Sequence, residues 1–183
     1  MLPYIDDAEV TITSSDPSVV SRSRSGRKVS RNLEQQKWLF DVTWPAYLDD
    51  KSLPLEIALD EMKGQSKSVG LVHPVRSFHP NASGTWQAIE PANAGANKVL
   101  LNGTGSLSLG HLVRFFGHSK AYRITKITGD IVQLFPSLRR GISLSEVVRI
   151  DAVAIDVTRT DDEISYKTKG PLTTVSASFE EML

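Results

Sequence analysis

The chain contains no cysteine. Disulfides, thiolate nucleophiles and Cys-ligated zinc are thereby excluded, and stability has to come from packing or from partner subunits. Neither sign of charge prevails: 21 Lys and Arg balance 21 Asp and Glu, so no global field draws the chain to nucleic acid or an anionic membrane. No apolar run approaches the roughly 18 residues of a membrane-spanning helix. The opening MLPYIDDAEV carries two aspartates where a signal peptide would have positive charge and then an apolar stretch. A cytoplasm-like compartment is the expectation.

Catalytic signatures are missing as well. His73, His79, His111 and His118 form no HExxH pattern and no other close pair of zinc-ligand spacing. They read as turn or surface residues, and no metal or cofactor is expected. Gly103-Thr104-Gly105 with Gly110 lacks the Gly-Lys-Ser/Thr entry into a helix that a phosphate loop needs. These glycines read as turns. No GxSxG elbow presents a serine nucleophile. Asn81-Ala82-Ser83 and Asn102-Gly103-Thr104 match the glycosylation sequon, but without secretion the match is empty, and Asn-Gly reads as turn chemistry.

What is present is a succession of short β patterns. Residues 1–20 are polar with scattered Val and Ile and read as a loose arm carrying at most one early strand. Residues 21–31 place Arg22, Arg24, Arg27, Lys28 and Arg31 among serines. Without interleaved aromatics this is a poor stacking platform for bases; it reads as the wet face of an edge strand or as a subunit contact. In Lys37–Trp44, Trp38, Phe40 and Val42 alternate with Leu39, Asp41 and Thr43, which predicts a strand with one buried face. An aromatic platform for sugar would need those rings exposed.

One helix is predicted. Ser52 caps it, Pro54 suits its first turn, Leu55, Ala58, Leu59 and Met62 share a face, and Gly64 stops it. Glu56, Asp60 and Glu61 fall on its wet side. Ser68–His73 is a further strand ending at Pro74, and residues 74–97, rich in Pro, Gly, Asn and Ala, are expected to be a long connection. Beyond it, Lys98–Leu101, His111–Phe116, Ala121–Ile127 and Ile131–Phe135 are apolar segments separated by turn residues, and Val147–Val157 adds a strand or two. That cadence predicts a small antiparallel barrel or sandwich. Leu172, Val175, Ala177 and Phe179, at near-alternate positions, predict a strand returning to the first sheet.

The expected fold is α+β, mostly β: an antiparallel β-sandwich with one short helix, carrying an inserted small β-barrel or sandwich. Its parts are an arm at 1–20, a sandwich built from 21–80 and 158–183, and an insertion at 81–157. Arg139 and Arg140, in a basic turn after Pro136, join Arg22, Arg24, Arg27, Lys28 and Arg31 as candidate subunit-interface residues.

The order of these features resembles the distal tail and tail-tip baseplate proteins of tailed bacteriophages. The resemblance runs through Lys37-Trp38-Leu39-Phe40-Asp41-Val42, the helix Leu55–Met62 and the strand Ser68–Pro74. It continues through Val99-Leu100-Leu101-Asn102-Gly103, Leu107-Ser108-Leu109-Gly110-His111, Tyr122-Arg123-Ile124 and Leu134-Phe135-Pro136-Ser137-Leu138-Arg139, and closes on Ser178-Phe179-Glu180-Glu181. It covers about residues 21–183, and only the order of the motifs is specific.

The resemblance implies a structural, non-enzymatic virion protein, made in the host cytoplasm and assembled into a ring, usually a hexamer. One face of the ring would dock on the tail tube protein and the other would carry hub and fibre proteins, with no membrane and no nucleic acid among its partners. The first β unit would build the ring and the inserted barrel would project as an adaptor. Two rivals stand beside this: a β-barrel module binding nucleic acid or carbohydrate, and an enzyme with a dispersed site.

Overall fold

The computed structural model describes residues 1–182. A 3-10 turn at Ile5–Asp7 precedes β1 (Glu9–Ser15), β2 (Ser18–Arg22), β3 (Lys28–Asn32), β4 (Lys37–Thr43), α1 (Asp49–Asp60) and β5 (Val69–Val72). Then come β6 (Ala82–Ala88), β7 (Lys98–Gly105), β8 (Leu112–Phe115), β9 (Tyr122–Thr128), β10 (Ile131–Phe135) and β11 (Val147–Arg149). The chain closes with β12 (Ala154–Arg159), β13 (Tyr166–Lys169) and β14 (Leu172–Glu181). The fold is α+β and mostly β, with antiparallel sheets, one helix and a closed barrel.

The first unit is a sheet in the order β1-β4-β14-β12-β5, with β13 added along β14. The alternation read in Lys37–Thr43 sets its geometry: Trp38, Phe40 and Val42 are buried while Asp41 and Thr43 face out. Register carries that choice across the sheet, because Phe40 lies between Ile12 of β1 and Phe179 of β14. Leu55 and Leu59 bring α1, and Met62 the turn after it, onto the same inner face, and Leu112 and Ala121 from the inserted unit pack there too.

The second unit interrupts the first. Between β5 and β12, six strands close into a barrel in the order β10-β7-β6-β11-β8-β9. Closure removes sheet edges, so this unit exposes no unpaired ladder of its own. Val99, Leu101, Val113, Phe115, Tyr122, Ile124, Val132 and Leu134 fill the interior. Gly129, with φ of 59°, makes the tight link from β9 to β10.

Several expectations change. The first 20 residues are not a loose arm: Leu2 and Ile5 are buried, the Trp44 indole N–H donates to the Pro3 carbonyl at 3.3 Å, and β1 pairs with β4 along its whole length. Apolar residues too sparse to show a period still bury well when one neighbouring strand supplies the rest of the surface. The connection expected at 74–97 contains β6, whose Trp86 and Ala88 face the barrel core. Asn102-Gly103-Thr104-Gly105 is not a turn but the second half of β7. Gly103 is there because the Trp86 ring lies against its backbone, where any Cβ would overlap the indole.

The helix starts at Asp49, one turn before the expected Ser52 cap. Ser52 is buried inside it and Pro54 sits in its body. The sheet resumes at Ala154, where Ile155 pairs with Leu71, so the last residues of the expected 81–157 insertion belong to the sheet.

Candidate functional site

Five of the seven basic residues singled out in the sequence lie together. Among the described residues β2 and β3 pair only with each other, in register Ser18↔Asn32 to Arg22↔Lys28, and every residue of both strands is exposed. Arg24 and Arg27 are in the turn, where the Arg27 amide donates to the Ser23 hydroxyl at 3.1 Å. Arg22, Lys28 and Arg31 line the strands, alongside the exposed Val19, Val20 and Val29. The hairpin is anchored only at its root, where the Asn32 amide donates to Asp16 at 2.7 Å and the Leu33 N–H to the Pro17 carbonyl at 3.0 Å.

Arg139 and Arg140 do not join this group. The Arg139 guanidinium donates to the Gln36 carbonyl at 2.7 Å, and its backbone N–H donates to the Tyr122 hydroxyl at 3.1 Å. Arg140 donates to the Gly117 carbonyl at 3.0 Å. Arg139 also lines a cleft of about 1000 Å³ between the hairpin root and the barrel, opposite Asp16, Asn32 and Glu34.

A smaller cleft, about 250 Å³, opens beyond the far end of the β12–β14 pairing, where residues 161–165 peel away from β14. Asp41, Asp161 and Glu163 line it, with Ser165, Ser176 and Ser178 adding hydroxyls. Arg159 reaches it from the buried face: it is 4% exposed, and its Nη2 has no hydrogen-bond partner among the described residues. A guanidinium left so is costly unless something completes its shell. The Asp161-Asp162-Glu163 run was visible in the sequence; its meeting with Asp41, some 120 residues away, was not.

The seam between sheet and barrel is polar and dry. Glu181 accepts from Lys120 Nζ, from the Trp38 N–H at 3.1 Å and from the Ala121 N–H at 3.2 Å. Lys120 also donates to the Gln36 carbonyl at 3.2 Å. Burial, outweighing the pull of Glu181, pushes the Lys120 amine down to about 8. The Trp38 indole N–H donates to the Ala121 carbonyl at 3.0 Å, and the Arg123 guanidinium stands 4.4 Å over its ring. These contacts fix the barrel against the sheet.

The histidines expected in turns or at the surface are mostly inside. His73, His79 and His118 are buried, and burial pushes each of them below the usual imidazole value. His73 Nδ1 accepts from the Val75 and Arg76 amides at 3.2 and 3.1 Å. His79 Nδ1 accepts from the Ser108 amide at 3.0 Å, so its Nε2 carries the proton donated to the Leu112 carbonyl at 2.9 Å. No three His, Asp or Glu among the described residues are grouped to hold a metal ion. Trp38, Trp44 and Trp86 are all buried, so none offers a ring for a sugar or a base to stack on. Among the described residues no helix is long and apolar enough to cross a membrane.

No protein-family model matches the chain, and no curated protein matches it.

Proposed function

We propose that this chain is a structural component of a bacteriophage tail tip, a distal tail or baseplate ring protein joining the tail tube to the hub and receptor-binding parts. The observation that carries the reading is the projecting hairpin β2–β3, whose strands, among the described residues, pair only with each other and expose every residue. Isolated two-stranded hairpins are marginal in water, and one that exposes three valines gains burial only against another molecule. The sheet unit supplies the assembling body, and the barrel, held to it by the Lys120–Glu181 seam, supplies a rigid second surface for an adaptor role. The resemblance of the motif order to that of tail-tip proteins supplies the biological setting of the proposal. In this reading the partners are further copies of the chain, the tail tube protein, and hub or fibre proteins, and the protein has no catalytic duty.

Negative-stain microscopy and sedimentation of the purified chain, alone and with tail tube protein, test the reading. Closed rings, or rings formed only with the tube protein, are the expected result. A chain that stays monomeric in both settings and binds oligonucleotide with a steep salt dependence overturns it.

A further inference from the structure

The hairpin and the small acidic cleft lie at opposite ends of one sheet, and they are complementary. We infer that the β2–β3 hairpin of one copy docks on the Asp41–Asp161–Glu163 cleft of the next, a head-to-tail contact. The inference rests on the assembly reading above and names the surface that the hairpin meets.

Charge is the first argument. Residues 18–32 hold five basic and no acidic side chains, so the rest of the chain holds 16 basic against 21 acidic. The overall neutrality of the sequence therefore hides a segregated distribution, one basic projection on an acidic body. Asp41, Asp161 and Glu163 take no part in any ion pair among the described residues; the pairs present are Lys37–Glu180, Lys51–Asp7, Arg114–Asp156, His118–Glu146 and Lys120–Glu181. Asp162, their neighbour in the chain, packs against Gly64, and Gln65 holds the loop through the Thr160 carbonyl at 3.0 Å.

The second argument is the chemistry of the cleft. Arg159 at its base has donors to give and no partner for Nη2, while the rim offers carboxylates. An occupant of pure positive charge would leave Arg159 unsatisfied. The hairpin alternates its arginines with Ser21, Ser23 and Ser25, so it brings hydroxyl and carbonyl acceptors as well as guanidinium donors.

Position is the third. The hairpin leaves the sheet where Ser15 pairs with Lys37, whereas Asp41 pairs with Thr11, four residues back along β1. That separation is about 13 Å along the strand, and strands of five residues make the hairpin about 17 Å long at roughly 3.3 Å per residue. In the inferred contact a copy gives its basic hairpin to one neighbour and its acidic cleft to another. Such heterologous contacts close into rings when the rotation per copy allows and run on as filaments when it does not.

Charge reversal tests this in the full-length chain. One variant carries Arg24→Glu with Arg27→Glu; a second carries Asp161→Arg with Glu163→Arg. All four positions are exposed, so thermal unfolding should match wild type. In sedimentation velocity at low salt, wild type should form the oligomer, each variant alone should lose it, and an equimolar mixture of the two should regain it. The rescue is expected because each variant's reversed surface then meets its complement. A wild-type oligomer indifferent to both reversals overturns this contact and leaves the ring reading standing. A wild-type chain that stays monomeric both alone and with tail tube protein overturns both. Loss of oligonucleotide binding on hairpin reversal, with association intact, assigns the hairpin to nucleic acid and overturns the contact.

Discussion

Lys120 and Glu181 form a buried ion pair across the seam between barrel and sheet, joining residues 61 positions apart in the chain. Glu181 ends β14 of the sheet, and Lys120 lies two residues before the start of β9 of the barrel. The carboxylate also holds the Trp38 and Ala121 amides, so one side chain ties both units together. Most of what can be tested about the fold follows from this seam and the tryptophan beside it.

Removing only the cation should be severe. Lys120→Met leaves the Glu181 carboxylate buried with two backbone donors and no counter-charge, at an expected cost of about 3–5 kcal/mol. Adding Glu181→Gln should recover part of that loss, because a neutral amide keeps an acceptor for the backbone without burying a charge. Urea unfolding of the two variants checks both statements; equal stabilities would place the seam in water.

Trp38→Ala should cost about 3–5 kcal/mol, since the ring is fully buried at the seam and makes its own hydrogen bond to Ala121. The denaturation midpoint should move while the slope against urea stays close to wild type.

Gly103→Ala should destabilise the barrel by about 1–3 kcal/mol, because the added methyl overlaps the Trp86 indole and forces it to move. Trp86 fluorescence should shift toward that of a wetter environment. Unchanged emission would show that the ring does not lie on that backbone.

Acid should weaken the fold before the carboxylates titrate. His73, His79 and His118 have folded values below the unfolded value of 6.5, with burial the main cause. As pH falls through 6.5 the unfolded chain takes up protons that the folded chain still refuses, so stability, fully present above that pH, declines through the folded values. Unfolding midpoints measured at neutral and mildly acidic pH should show the decline, and His79→Gln should flatten it by removing one of the three contributions.

How much was legible depends on the distance over which each feature is decided. The alternation of Trp38, Phe40 and Val42 belongs to a single strand, so local pattern alone identified its buried face; of the last strand's expected set, Val175 and Phe179 are buried, Ala177 is half-buried and Leu172 is exposed, because it lies at the strand's start beyond the core. The apolar run Leu55, Ala58, Leu59, Met62 marked the helix for the same reason, though its start was misplaced because no side-chain cap marks Leu48. Gly103 was misread because a glycine lying under a ring has the same letter as a glycine in a turn. β6 was hidden because the prolines and glycines around it signal breaks and its partners lie elsewhere in the chain.

The sequence by itself determined the class of fold, the strand cadence of the inserted unit and the presence of a basic stretch at Arg22–Arg31, since each is set by residues a few positions apart. Only the tertiary structure decided that this stretch stands free as a hairpin, that Arg139 turns inward to Gln36, and that Asp41 meets Asp161 and Glu163 in one cleft. Those outcomes depend on sheet register and on which strands close the barrel, and both are settled by burying apolar surface far apart in the chain.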